Sequence, residues 1–253
     1  MEKDMKIGII GFGHLGKALT KGLIFKNIVS KDEIFILAKS ERTKDVAEKE
    51  FGVQVCNDIN DIIEKASILF WVIKGNVFVE LSKDIQQDVK HKINVSFMAG
   101  MTIKSMQEIL GDIFITRAMP SVAIDRADGV IGYTKTNDTF VKKILNELGY
   151  AFEIEEKDIE KVTAFSACGL GFAAHILNAF QKAGQAFGFS KEVSEKIVSK
   201  TFCNAIDMGD YEETANAVAT KGGATEQGIL YFEVNNMNRI ISEAMNKAYN
   251  KMK

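Results

Sequence analysis

The stretch KIGIIGFGHLGKAL holds Gly11, Gly13 and Gly16 directly after a short apolar run and at the opening of an amphipathic one. In a strand–turn–helix setting each glycine has a physical task. Gly11 permits the tight turn, Gly13 lets the backbone approach a pyrophosphate, and Gly16 allows close helix–strand packing. The first N–H groups of the helix then face the anion. The chemistry indicated is dinucleotide binding, with Phe12, His14 and Leu15 completing the turn; the alternative is an ordinary glycine-rich turn. The end of the second apolar run discriminates between dinucleotides. In ILAKSERTK, Ala38 stands where a ribose-binding carboxylate would fall, and Lys39, Ser40 and Arg42 follow. Those groups suit a 2′-phosphate through charge and hydrogen bonding, which favours NADP(H). Glu41 beside them and a merely solvated charged turn keep NAD(H) open as the alternative.

A second concentration of special residues is KVTAFSACGLGFAAHILNAF. It reads as small residues, Ser166, Cys168, Gly169 and Gly171, in a loop opening a helix that carries His175. A lone helical histidine is more often packed or partly exposed than catalytic. Cys56, Cys168 and Cys203 are widely spaced, giving neither a disulfide framework nor a metal quartet, and no His/Cys/Asp cluster has ligand spacing, so no metal is expected.

The elements that must position these residues follow from the apolar patterning. KIGII, EIFILA, SILFWVI, INVSFMA and IFITRAM are short runs, apolar on both faces and separated mostly by amphipathic stretches such as LGKALTKGLIF and SMQEIL. That alternation describes an α/β fold, a mostly parallel sheet covered by helices. GVIGYT could add an edge strand and AFEIE another. Beyond Asp158 only helical spacing remains, in Phe172, Ile176 and Phe180, then Val193, Ile197 and Phe202, then Ile229, Phe232, Met237, Ile240 and Met245. The expected organisation is a Rossmann domain over 1–158 and an all-helical domain over 159–253, too small to bury its own faces and therefore a dimerisation element. The lone proline, Pro120, marks a loop or turn.

The 253 residues are 46% hydrophobic and 26% charged, with a net charge of -2. No global field favours nucleic acid or an anionic membrane. No apolar run approaches a membrane span and the N-terminus lacks a signal-like apolar region, so a cytoplasmic protein acting on a small molecule is expected.

The motifs IGIIGFGHLGKAL, ILFWVIKGN, VSFMAGMTI, TRAMPS and KGGAT occur in the order and spacing of pyrroline-5-carboxylate reductases, and the resemblance covers essentially the whole chain. It implies a Rossmann domain, a helical dimerisation domain and NAD(P)H-dependent reduction of 1-pyrroline-5-carboxylate to L-proline. It also implies a homodimer or higher homo-oligomer through the C-terminal helices. By the same resemblance, Gly11 to Gly16 form the pyrophosphate turn, Ser40 and Arg42 lie on the adenosine side, and Asn57 contacts a ribose. Ile73, Lys74, Met98, Ala99 and Gly100 line the nicotinamide side. Thr225 approaches the pyrroline ring, and Gly222 and Gly223 offer amides to its carboxylate. A helix N-cap is the plainer role for Thr225, and loop anchoring for Arg117.

Departures cluster in the substrate region. Ser166-Ala167-Cys168-Gly169-Leu170-Gly171-Phe172 replaces a Ser-Gly-Ser-Gly-Pro-Ala-Tyr series, and Asn178 replaces an acidic residue. Ser121, Val122 and Ala123 replace Asn-Thr-Pro, while Gly75 and Lys221 replace prolines. Residues 166 to 178 also resemble the G-x-x-G-x-G-x-x-x-K-x-x-N series of the 3-hydroxyisobutyrate/6-phosphogluconate dehydrogenase superfamily. His175 then stands at the catalytic lysine and Asn178 at the asparagine, and a histidine can move a proton near neutral pH. The alternatives are therefore an NADP-dependent dehydrogenase or imine reductase for another small acid through His175, or a catalytically weak NADP(H)-binding accessory protein.

Overall fold

The computed structural model describes residues 5–85 and 89–252; the opening residues of the stretch read above for a signal lie outside them. The strands are β1 (Ile7–Ile10), β2 (Ile34–Leu37), β3 (Gln54–Val55), β4 (Ile68–Trp71), β5 (Ile93–Ser96), β6 (Ile115–Pro120), β7 (Gly129–Tyr133) and β8 (Gly149–Glu153), and β1, β4 and β6 are buried on both faces. They join in one sheet of order β3-β2-β1-β4-β5-β6-β7-β8. Strands β1 to β6 pair in parallel, β7 runs antiparallel to β6, and β8 is parallel to β7. GVIGYT is thus an interior strand and not an edge; β8 and the two-residue β3 hold the edges. Pro120 ends β6 inside the sheet, opposite Ile131, and does not mark a free loop.

The crossovers are α1 (His14–Phe25), α2 (Glu41–Val46), α3 (Ile59–Lys65), α4 (Gly75–Leu81), α5 (Ile103–Leu110) and α6 (Thr139–Glu147). Alternation along each strand divides the core between the two faces of the sheet. Ile7, Ile9 and Phe70 pack with Leu19 and Leu23 of α1 on one face. Ile10, Leu69 and Trp71 pack with Ile62, Phe78 and Met106 on the other. Helix α7 (Ile159–Phe165) lies on β6 and β7.

The chain divides into two compact units, one running to Ala167 and taking in the C-terminal segment from Tyr249, the other Cys168–Ala248. The second unit is built from α8 (Ala167–Ala186), α9 (Lys191–Asp207), α10 (Tyr211–Val218), α11 (Ala224–Val234) and α12 (Met237–Met252). Gly184 lets α8 and α9 cross closely, since a Cβ there would stand 2.9 Å from the Ser194 hydroxyl. Phe180 meets Phe202 edge-on at 5.0 Å. Beyond that the unit covers little of itself, and Ser194 is the one buried residue among its described residues. Phe187, Val234 and Tyr211 are 84%, 78% and 70% exposed, and Phe180, Val193, Ile197, Phe232 and Ile240 of the expected apolar stripes are also exposed.

Residues Glu156–Ala186 are helical enough, long enough and apolar enough to cross a membrane by length and composition alone. The residue pattern hides this because Ser166, His175 and Asn178 interrupt the alanines, leucines, isoleucines and phenylalanines that make the stretch apolar. A thinly buried helical unit with this much exposed apolar surface needs a second surface. In solution the chain should therefore be a dimer or a larger oligomer by light scattering; a stably folded monomer would contradict this.

Candidate functional site

The turn after β1 is shaped by backbone approaches that no side chain would permit. Gly11 has φ +107°, and a Cβ on it would lie 2.4 Å from the Val72 carbonyl oxygen; one on Gly16 would lie 2.2 Å from the Gly11 carbonyl oxygen. Gly11 also donates its N–H to the Leu37 carbonyl at 2.9 Å, tying the turn to the end of β2. Gly13 differs in kind, because a Cβ there would meet nothing within 4 Å. Its missing side chain therefore serves no packing inside the chain and leaves an open face. Gly13 is the N-cap of α1, without a side-chain cap and with no acidic residue in the first turn. The leading amides of α1 thus lack intrahelical partners, and the positive end of the helix dipole faces the same opening. Phe12 is buried and packs edge-on against Phe51 at 5.3 Å, so its contribution to a ligand would be through its backbone. His14 is exposed and Leu15 half-buried.

The other residues assigned to the dinucleotide gather at the carboxyl ends of β2, β3, β4 and β5. The sheet order reverses between β1 and β4, which leaves a crevice where doubly wound sheets receive ligands. Lys39, Ser40 and Arg42 are exposed beyond β2. Ser40 caps α2, accepting the Thr43 N–H at 3.3 Å, so its hydroxyl is oriented before any ligand arrives. Glu41 is held by Lys44 at 2.8 Å, which answers its charge locally and leaves Arg42 outside the described ion pairs. Asn57 is exposed beyond β3 and fixed through its backbone N–H to the Asp61 carboxylate at 2.9 Å. The β3 strand that aims it is too short for sequence periodicity to reveal. Neighbouring Cys56 is no nucleophile: burial, then the Asp61 charge, pushes its thiol up to about 12. Ile73 and exposed Lys74 follow β4, with Lys74 as N-cap of α4. Met98 is buried after β5, whereas Ala99 and Gly100 are exposed. Among the described residues no three His, Cys, Asp or Glu side chains form a metal-binding group.

The substrate-side candidates differ from expectation in local structure. The small-residue segment is not a loop. Ser166 alone interrupts the helical path between α7 and α8, its hydroxyl donating to the Val162 carbonyl at 2.8 Å, while Cys168, Gly169 and Gly171 lie within α8. Helical hydrogen bonding after this single kink overrides the low propensity of the two glycines. His175 and Asn178 are both exposed on α8.

At the start of α11 the N-cap is Gly223, so Thr225 is the second helical residue and not the cap. Gly222 adopts φ +76° and donates to the Glu226 carboxylate at 2.7 Å, and Gly223 donates to the Thr220 carbonyl at 2.8 Å. Both amides assigned to a substrate carboxylate are therefore engaged within the chain. The amides of Ala224 and Thr225, in the first turn, have no intrahelical acceptor. These positions are brought together in one turn, apart in sequence from the group on α8.

Two family models match the chain: one described as "Pyrroline-5-carboxylate reductase dimerisation" over residues 156–253, the other as "NADP oxidoreductase coenzyme F420-dependent" over residues 6–100. The pyrroline-5-carboxylate reductase of Aquifex aeolicus is 28% identical, covering 98% of this chain and 97% of its own. The pyrroline-5-carboxylate reductase 2 of Bacillus subtilis is 26% identical, over 88% of this chain and 85% of its own. Among solved structures, Plasmodium falciparum pyrroline carboxylate reductase with NADP bound shares the fold at TM-score 0.89 and 23% identity, covering 99% of this chain and 98% of that one. The 1-pyrroline-5-carboxylate reductase of Streptococcus pyogenes does so at 0.90 and 24%, covering 98% of each chain. Pyrroline-5-carboxylate reductase relatives thus match this chain nearly end to end, and the pyrroline-5-carboxylate reductase dimerisation model matches its helical part.

Proposed function

We propose that this protein is an NADPH-dependent oxidoreductase that reduces 1-pyrroline-5-carboxylate to L-proline, working as a homodimer or higher homo-oligomer. The observation that carries the reading is the open face of Gly13 at the uncapped start of α1, a cradle that a Cβ would fill. The amides of His14, Leu15 and Gly16 would receive the pyrophosphate, Ser40 and Arg42 with Lys39 the 2′-phosphate, and Asn57 a ribose. Ile73, Lys74, Met98, Ala99 and Gly100 would line the nicotinamide. When bound, the dinucleotide supplies a hydride.

The chain's own residues have mainly to position, because a protonated cyclic imine is already electrophilic. The Thr225 hydroxyl orients the ring nitrogen. The free amides of Ala224 and Thr225 receive the carboxylate, since those of Gly222 and Gly223 are engaged. Ser166, Cys168 and Gly169 supply the small side chains beside the ring.

A second reading is favoured by the exposure of His175 and Asn178, one turn apart on the same face of α8. In it His175 moves a proton to or from another small acid or imine during hydride transfer. In a third, the departures in the substrate region leave an NADP(H)-binding accessory protein of weak activity.

The three separate experimentally. NADPH oxidation dependent on 1-pyrroline-5-carboxylate, followed by loss of nicotinamide absorbance, is expected to exceed oxidation of NADH. Tight NADPH binding without turnover of this substrate would favour the accessory reading. Arg42→Ala should weaken NADPH roughly tenfold, or ~1.4 kcal/mol, while leaving NADH nearly unaffected. An unchanged preference rejects the 2′-phosphate assignment.

Gly13→Ala and Gly16→Ala test the cradle as a pair. Gly13→Ala should keep the melting temperature and lose NADPH affinity. Gly16→Ala should destabilise by roughly 1–3 kcal/mol because its Cβ overpacks. Equal destabilisation of both would show that Gly13 is a packing glycine. His175→Ala is expected to retain turnover with 1-pyrroline-5-carboxylate; its abolition would move the assignment to the second reading.

A further inference from the structure

Arg117 on β6 has only 1% of its side chain exposed, and burying a guanidinium carries a large desolvation cost unless its donors are matched. Its Nε has no hydrogen-bond partner among the described residues, and the partners of its two Nη atoms lie on two segments. Nη1 donates to Glu156 Oε1 at 3.2 Å, and Nη2 donates to Glu160 Oε1 and to the Met98 carbonyl, the latter at 3.3 Å. The two carboxylates reach onward. Glu160 Oε1 accepts the Gly100 N–H at 3.3 Å, and Glu156 Oε1 accepts the Ile103 N–H at 2.6 Å. One cluster, built on a buried arginine, thus holds three backbone atoms of the β5–α5 turn: the carbonyl of Met98 and the amides of Gly100 and Ile103. The base of the cluster is itself fixed. Arg117 N–H donates to Thr134 Oγ1 at 2.9 Å, and its carbonyl accepts the Thr134 N–H at 2.8 Å.

We propose that Arg117, Glu156 and Glu160 form a positioning cluster that sets the 98–103 turn beneath the nicotinamide. They govern the geometry of hydride transfer and leave the adenosine end of the dinucleotide untouched. The inference rests on the cofactor reading above. Its physical reason is economy of reach: Glu160 and Glu156 each bridge the guanidinium and a turn amide through a single oxygen. Removing one carboxylate therefore frees an amide and also strands part of a buried charge. Loop anchoring, the plainer role for Arg117, is part of the same device; the turn it anchors is the one that Met98, Ala99 and Gly100 bring to the cofactor.

The test uses the full-length protein, with Glu160→Ala as the disruptive variant and Glu160→Gln as a milder one that keeps an acceptor for Gly100. Dissociation constants are measured for NADPH and for 2′-phospho-ADP-ribose, which lacks the nicotinamide, alongside kcat with 1-pyrroline-5-carboxylate. In Glu160→Ala the fragment should bind as in the wild type while kcat falls about tenfold to a hundredfold, the scale of a displacement of about 1 Å in reacting groups. Glu160→Gln should fall between the two. A kcat within about twofold of wild type in both variants overturns the proposal. So does a proportional loss of fragment and NADPH affinity, the mark of general loosening. Wild-type protein that neither prefers NADPH to the fragment nor turns over would instead reject the cofactor reading itself.

Discussion

The contact on which the rest of this molecule depends is the approach of Gly16 to the carbonyl of Gly11, which leaves no room for even a methyl group. It lets α1 begin almost as soon as β1 ends, with its first turn directed over the carboxyl edge of the sheet. The same helix is held at its other end by another backbone approach, since a Cβ on Gly22 would lie 2.2 Å from the Ile124 carbonyl. Leu19 and Leu23 then fill the space between helix and sheet. A helix pinned in this way holds the unpaired amides at its start in a fixed direction, the geometry an anion receptor needs. The cradle proposed at the crevice between β1 and β4 rests on this one geometry.

Much of this was legible from residue type and spacing. Ile7 to Ile10 and Ile68 to Trp71 announce buried strands because they are apolar on both faces, and the three glycines announce the turn. What escaped was set by contacts over long sequence distances or by local competition. The two residues of β3 offer no period to detect. The interior position of β7 follows from its antiparallel pairing with β6, which the parallel pattern of the preceding strands does not suggest. Ser166 to Gly171 look like a loop by composition, yet a single backbone kink suffices to keep the helix going. Glu156 and Glu160 lie 39 and 43 residues from Arg117, so the cluster has no local signature.

The departures from the pattern that the sequence resembles gather on the substrate side, in both units. The dinucleotide side keeps its glycines, and even Gly75, in place of a proline, falls at the first position of α4 where either residue can start a helix. The substrate side has Cys168, Phe172, Asn178 and Lys221 at altered positions, and its Gly222 amide is taken by Glu226. Hydride delivery to an imine asks mainly for placement, so under the proposed function such changes bear on which ring is accepted more than on whether a hydride can be delivered.

The central claim is direct hydride transfer from NADPH to the pyrroline ring, and the most direct measurement follows the hydrogen itself. With NADPH carrying deuterium in the transferable position at C4, product formed from 1-pyrroline-5-carboxylate is examined by mass spectrometry. The account predicts proline carrying a single deuterium at C5. Unlabelled proline, or no proline from wild-type protein that binds NADPH, would contradict it.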